Sequence, residues 1–552
     1  MPSAVRPRRQ AARADCRKPA SSSLGPPGAA TPALRFDLQF PPVRAVTAVL
    51  FAVAAAAQDP PPPAPAGDVR PASALLREGR DRLDIEDPCG AWQAFRRAAV
   101  LDGEAAAARI GLGATHLMLG QSAFALAWAD AALAVDRAAQ DAMALAVRAR
   151  IRARRFDEAV DAAAAFVAAA GVAPTAELLA AQASALFRVQ RIDDAAGAYA
   201  AVLAVDPLHA EAHLRLGSGL LDGSPCAVPP QLVAAVTANA RGDRAAAIAA
   251  LRAALAAAPR HPIAHRLLGE TLFTQKAASA MASNDPAFAA LAASRATPDV
   301  RGLPLADFVP GYASLSPARR LVVDRTAAMF ARQLPKLVAV GGRHDLLVEL
   351  ERTTDAAARA NLRGKRTFDG RVWDDVRGVG GMQAATGIEA LDEAHGFGFD
   401  TFAHEVAHQA HYYAFTPVQR ARIRALYQRA LAEGRCLDFY AATNEAEYFS
   451  QGVEAFASLA KRPGGETTHG HTRFELWRVD RDLHDFVAGV VAYDPLAVHG
   501  ERERLLAAAC AVALRVGRPQ DAVVAAGMMA GGEARDGWLR AAERADSAAR
   551  CH

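Results

Sequence analysis

Aromatic residues are scarce in this chain of 552 residues, at 6% of the sequence. Strands favour aromatic and β-branched side chains, so the scarcity argues against a β-sandwich and for helices packed through alanine. Cysteine is rare too. There are six, and no two form a CxxC pair, which removes cysteine-based zinc sites from consideration. Cys16 lies in the leader described below. The other five (Cys89, Cys226, Cys436, Cys510, Cys551) are far apart, and their odd number leaves one thiol outside any disulfide. Net charge is also small. Residues 1–57 hold eight basic and two acidic residues, so they more than account for the formal +4 and leave the remainder at −2. A near-neutral body gives no electrostatic case for nucleic-acid binding. What is abundant is apolar: 52% hydrophobic against 22% charged residues, enough to fold by burial. The length exceeds one hydrophobic core and points to about three structural units.

The start of the chain has the layout of a signal peptide. Arg44 precedes an apolar run from Ala45 to Ala57, and small residues lead up to Gln58. The run is short for a membrane span. The expectation is export to the periplasm or the extracellular space after cleavage of a 1–57 leader, with no stable membrane span then left. An uncleaved leader would instead anchor the chain. The proline-rich stretch 58–71 reads as an extended linker.

From Ala72 the chain repeats itself. Four turns begin at Gly120, Arg154, Gln190 and Gly242, and in each an alanine follows five residues later: Ala125, Ala159, Ala195 and Ala247. The first three turns are 34 and 36 residues apart, and an insertion around "DGSPCAVPP" delays the fourth. One helical hairpin cannot bury its apolar face alone, so such units must stack. The period and the helix–turn–helix unit resemble tetratricopeptide repeats, expected over 72–290. Such repeats imply a protein partner. A further hairpin, with Gly517 and Ala522 again five apart, is expected within 496–552.

Between 297 and 495 aromatic, histidine and glycine residues become more frequent. Alternating stretches such as "LPKLVAVGG" predict short strands. Here "HEVAHQAH" spans 404–411. The predicted helix runs from about Thr401 to Ala414, capped by Asp400 or Thr401, and a second helix starts at Pro417 with Thr416 as cap. His404 and His408, four apart, share a face and can bind zinc together. Glu405 lies at the edge of that face, placed to act as general base on water. The remaining ligand is open. The metzincin pattern needs Gly at 411 and His at 414, but the chain has His411 and Ala414. His411 is a weak candidate, because three imidazoles on one straight helix rarely converge. A later helix, "NEAEYFSQGVEAFASLAKRP", is expected between Asn444 and Pro463 and offers Glu445, Glu447 and Glu454.

"RVWDDVRGVGG" at 371–381, "HEVAH", and "YAATNEAEYFSQGVEAF" together resemble the metalloprotease domain of the anthrax lethal-factor type, among the gluzincins. The resemblance covers roughly residues 365–480. It implies Glu447 as the third ligand of one catalytic Zn²⁺, beside His404 and His408. It also implies Tyr440, seven residues earlier, as a donor to the scissile carbonyl. Gln451 departs from the family's usual glutamate. Trp373, Asp374 and Arg377, with Gly378, Gly380 and Gly381, are expected in a loop before the zinc helix. His469 and His471 are expected in a surface loop.

The expected fold is therefore mainly α. A tetratricopeptide-like helical-hairpin solenoid precedes an α+β zincin-type metalloprotease domain at 297–495. The expected function is that of an exported zinc-dependent endopeptidase acting through a zinc-activated water on a protein or peptide substrate. The alternative is a non-catalytic repeat scaffold with a vestigial or structural zinc site.

Overall fold

The computed structural model describes residues 70–84, 87–101, 106–171, 173–221, 227–281, 285–367, 369–393, 400–461, 471–497 and 500–549. The expected leader, and all of the expected linker but its last two residues, lie outside them. The described chain is mainly helical. Its first part is a series of antiparallel helices: α1 (Ala72–Asp84), α2 (Pro88–Leu101), α3 (Ala106–Met118), α4 (Ser122–Val135), α5 (Gln140–Arg152), α6 (Phe156–Ala170), α7 (Ala176–Arg188) and α8 (Ile192–Val205). After these come α9 (Ala210–Arg215), a kinked turn at Leu216–Leu220 with non-helical backbone at Ser218 and Gly219, α10 (Pro230–Ala240), α11 (Arg244–Ala257) and α12 (Pro262–Met281). Successive helices pack as hairpins, α3 on α4, α7 on α8 and α10 on α11.

The turns have a shared physical cause. Gly120, Arg154, Gln190, Gly242 and Gly517 all adopt positive φ. In each case the next residue's N–H bonds the carbonyl five residues back (Gln121 to His116, Arg155 to Arg150, Arg191 to Leu186, Asp243 to Ala238, Arg518 to Ala513). That closes the first helix with a Schellman motif and reverses the chain. The alanine five residues on is fully buried at all five turns (Ala125, Ala159, Ala195, Ala247, Ala522). With only a methyl group there, the partner helix can approach closely.

The second part begins with α13 (Asp285–Ala293), α14 (Leu305–Phe308), α15 (Pro317–Met329) and α16 (Leu334–Ala339). "LPKLVAVGG" is thus helical where strands were expected. Pro335 sits in the first turn, where it costs no hydrogen bond, and Leu334, Leu337 and Val338 face one core at helical spacing. The strand comes just after. β1 (Arg343–Leu347) pairs parallel with β3 (Gln383–Gly387), and β2 (Gly378–Val379) pairs antiparallel with the other side of β3. β2 is therefore an edge strand.

The remaining helices are α17 (Ala390–Glu393), α18 (Thr401–Gln409), α19 (Pro417–Glu433), α20 (Glu445–Ala457), α21 (Arg473–Val479) and α22 (Arg481–Val490). Then come α23 (Arg502–Arg515), α24 (Pro519–Gly527) and α25 (Glu533–Ala549), so the C-terminal segment holds a third helix beyond the expected hairpin. The largest core joins α18 to α20 through Phe402, Val406, Ala410, Phe449, Val453 and Phe456. The 401–414 helix is not uniform. Its last turn, Ala410–Ala414, is a π-turn closed by Phe415 N–H to Ala410 C=O at 2.9 Å. α20 stops at Ala457, short of Pro463. Arg295 donates to the Ala457 carbonyl, and the Arg473 N–H takes the Ser458 carbonyl at 2.8 Å, drawing the chain out of the helix. Among the described residues no helix is long and apolar enough to cross a membrane.

Candidate metal centre

Two local caps place the candidate ligands. The Asp400 carboxylate accepts from Ala403 N–H at 2.9 Å and starts α18, one turn before His404. The Asn444 side chain accepts from Ala446 and Glu447 N–H, both at 3.0 Å, and starts α20 with Glu447 in its first turn. The capping box of Thr416 and Gln419 fixes the start of α19. Packing of α18 on α20 then brings His404, His408 and Glu447 together. Among the described residues they form the one cluster of histidine, cysteine and acidic side chains spaced to hold a metal ion.

The three donor atoms form a nearly equilateral triangle. His404 Nε2 lies 3.1 Å from Glu447 Oε2 and 3.1 Å from His408 Nε2, and His408 Nε2 lies 3.4 Å from Glu447 Oε2. Ligands of a tetrahedral zinc ion at ordinary Zn–N and Zn–O lengths stand about 3.3 Å apart, so the donor set fits. Charge points the same way. Glu405, Glu447 and Glu454 are three buried carboxylates grouped around two imidazoles, a deficit of positive charge that a divalent cation would correct. Burial works to raise the Glu447 carboxyl, but its bonds with His404 and His408 outweigh burial and hold it well below the usual range.

Behind His404, its Nδ1 lies 3.5 Å from Glu454 Oε2. A carboxylate at that ring nitrogen favours the tautomer with Nε2 free to coordinate. Glu445, by contrast, points away into an ion pair with Arg424 at 2.9 Å. Gln451 is buried on α20. His411 is only 1% exposed, so it belongs to the interior rather than to the rim of the site. Its ring lies against Tyr412 and Phe449, neither ring nitrogen has a hydrogen-bond partner among the described residues, and burial pushes it down to about 4.

Glu405 is buried, and burial raises its carboxyl. Its carboxylate packs on the edge strand. A methyl group at Gly378 would come within 2.7 Å of Glu405 Oε1, and one at Gly380 within 3.2 Å of Oε2. Glycine there is a condition of the approach. Tyr440 sits on the loop between α19 and α20, its ring centroid 6.5 Å from that of His404. Burial, followed by the charge of Glu447, pushes its hydroxyl far up, so it stays a proton donor.

The neighbouring stretch divides into two roles. Asp374 accepts from Thr354 Oγ1 and Gly364 N–H, Asp375 pairs with Arg352, and Arg377 pairs with Glu389 at 2.7 Å. These hold the loop. Arg371 is the member whose charge reaches both Glu405 and Tyr440. Only the run of residues around it marked it beforehand. His469 lies outside the described residues. His471 is not in a surface loop: it is buried, 3.2 Å from Asp438 and 3.1 Å from Glu475. Among the described cysteines, Cys436 and Cys510 are free thiols.

No protein-family model matches the chain, and no curated protein matches it. Several solved structures are weakly similar. One is a thermophilic tetratricopeptide repeat (TPR) protein of Thermus thermophilus, 17% identical, covering 36% of this chain and 98% of its own at a TM-score of 0.26. Another is a TPR protein from Parabacteroides merdae, 15% identical, covering 49% of this chain and 90% of its own at a TM-score of 0.24. A third, described as a TPR protein with an unusual peptide-binding site, is 20% identical and covers 35% of this chain and 89% of its own at a TM-score of 0.21. The helical-hairpin architecture stands on the repeated turns themselves rather than on these distant likenesses.

Proposed function

We propose that this chain is an exported zinc-dependent endopeptidase with a gluzincin-type site of the lethal-factor kind, its helical repeats recruiting a protein partner or substrate. The observation that carries the reading is the triangle of donor atoms on His404, His408 and Glu447, with Glu405 beside it on the same helix. Those three side chains would hold one zinc ion and leave a fourth position open, as catalytic zinc sites do. When bound, the ion polarises a carbonyl and makes water acidic enough to serve as nucleophile near neutral pH.

The chain's own residues do the rest. The Glu405 carboxylate accepts the proton from water and returns it to the leaving amine. Tyr440, kept protonated, donates a hydrogen bond to the carbonyl oxygen as charge develops on it. β2, the edge strand of the sheet, would offer backbone groups to an extended peptide, and Gly378 and Gly380 let that strand run close against Glu405. A peptide bond paired there would lie beside the base. Export rests on the signal-peptide layout expected in residues 1–57 and is checked by sequencing the mature N-terminus.

A second reading is a helical-repeat scaffold with a structural zinc site. It is favoured by the burial of His404, Glu405, His408 and Glu447, which are 4–9% exposed, and by the long run of hairpins. Incubation of the purified chain with casein and a peptide library, before and after chelation, separates the two. The endopeptidase reading expects cleavage that chelation abolishes and added zinc restores. Bound zinc without cleavage of any substrate supports the scaffold.

A further inference from the structure

Both loops that flank the candidate site are gripped by the helical repeats, at three successive turns of the solenoid. The first grip is on the loop that carries Tyr440. Phe439, its neighbour, meets Phe156 at the start of α6 edge-on, with ring centroids 6.1 Å apart. The guanidinium of Arg188, at the end of α7, lies 4.2 Å over the same ring. Phe439 is thus held between an aromatic edge and a cation, both from the repeats.

The second grip is on the loop around Arg371. Gly370 presses on Ile192, the first residue of α8, so closely that a methyl group on it would come within 2.6 Å of the Ile192 side chain. Arg366 lies 4.0 Å from Asp193 on the next position of that helix. At the third turn, Val372 N–H donates to the Gly219 carbonyl at 2.7 Å. Gly219 has φ of +89°, and a side chain on it would collide with the Val372 backbone.

Each gripped residue lies in a loop that leads into the site. Phe439 precedes Tyr440, whose ring stands beside His404. Gly370 and Val372 bracket Arg371, which pairs with Asp369 at 2.8 Å in the loop that leads to β2 and its contact with Glu405. Within its own domain the Tyr440 loop is held on both sides of the tyrosine: Asp438 accepts from Ala441 N–H at 2.8 Å and faces His471, and Tyr427 donates to the Ala442 carbonyl at 3.0 Å. The repeats add the contacts on Phe439.

We propose that the repeats are a working part of the hydrolytic site as well as a recruiting arm. Phe156, Arg188 and Ile192 are positioning residues that hold Tyr440 and Arg371 in place through Phe439 and Gly370. The role assigned to Tyr440 rests on the endopeptidase reading; the grip itself does not. A cation over an aromatic ring strengthens when both are shielded from water, and a misplaced catalytic group loses rate steeply, so loss of the grip should act on turnover before it acts on binding.

The test uses the full chain, as wild type and as Arg188→Ala, Arg188→Lys and Phe439→Leu, with zinc content measured on each. Amide hydrogen exchange is read over 436–443 and 401–409. Arg188→Ala should speed exchange over 436–443 by about tenfold while leaving 401–409 and zinc content unchanged, and Arg188→Lys should restore most of the protection. On a peptide that the wild type cleaves, kcat should fall about tenfold and KM should stay within about twofold. Phe439→Leu removes the same grip from the loop's side and should behave like Arg188→Ala, which covers the case of an Arg188 variant that does not fold. Unchanged exchange over 436–443 in both variants overturns the proposal. If zinc-loaded wild type cleaves nothing, the endopeptidase reading fails, and the exchange result still decides whether the repeats hold the loop.

Discussion

Glu454 Oε2 stands 3.5 Å from Nδ1 of His404, at the ring nitrogen opposite the one that faces Glu447. The two glutamates are seven residues apart on α20, two helical turns, so one helix supplies both a candidate ligand and the group behind a second ligand. Glu454→Gln should lower zinc affinity by about 10–100-fold, because the histidine loses the carboxylate that sets its tautomer. Glu447→Ala should cost more. Competition with a fluorescent chelator measures both, and an unchanged affinity in Glu454→Gln would remove Glu454 from the site.

Gly378→Ala tests the packing of Glu405. The added methyl group would meet Oε1 at 2.7 Å, and the carboxylate, at the end of a flexible side chain, would swing aside. Zinc content and folding should survive, while kcat/KM should fall about a hundredfold. A variant as active as the wild type would show that Glu405 does not act from this position.

His471 gives a pH signature. Burial opposes its charge, but Glu475 and Asp438 outweigh burial and push it up to about 9. Arg518 also pairs with Glu475, at 2.9 Å. A group whose pKa is raised in the folded state stabilises the fold below its unfolded value of about 6.5 and ceases to as pH rises through its folded value. Urea unfolding of His471→Asn should therefore show a deficit of about 2–3 kcal/mol at pH 6 that shrinks towards zero above pH 9. A deficit that does not vary with pH would mean that the imidazole is not charged in the native state.

How much was legible from the chain alone depended on the range of the interaction. The repeat turns were readable because their cause is local. A positive φ at Gly120, Arg154, Gln190 and Gly242 and a methyl-sized contact five residues on each leave a mark within six positions. Caps at Asp400, Thr416 and Asn444 were readable for the same reason. Burial of His471 was not, because its partner Asp438 is 33 residues away across a turn of tertiary structure. Nor was the grip of Arg188 on Phe439, or of Ile192 on Gly370, since no periodicity encodes how a solenoid docks on a loop. The helix at Leu334–Ala339 was misread as strand because a six-residue apolar stretch fits either pattern until its packing decides.

The local reading can itself be tested. Arg154 and Gln190 are the non-glycine residues with positive φ among those described. Gln190→Gly relieves that conformation and should leave stability unchanged or raise it, by up to about 1 kcal/mol. Ala195→Leu, five residues on, forces a larger side chain into a fully buried contact and should cost about 1–3 kcal/mol. Thermal unfolding should show Ala195→Leu destabilised and Gln190→Gly not. A destabilised Gln190→Gly beside a neutral Ala195→Leu would contradict the turn geometry.

The central claim is that Glu405 serves hydrolysis at a zinc site built by His404, His408 and Glu447. Its most direct test counts bound zinc and peptide cleavage in the same preparations of wild type and Glu405→Gln. The account predicts about one zinc per chain in both, since Glu405 is not a ligand, with cleavage by the wild type alone. Zinc in both with cleavage by neither, or equal cleavage by both, would contradict it.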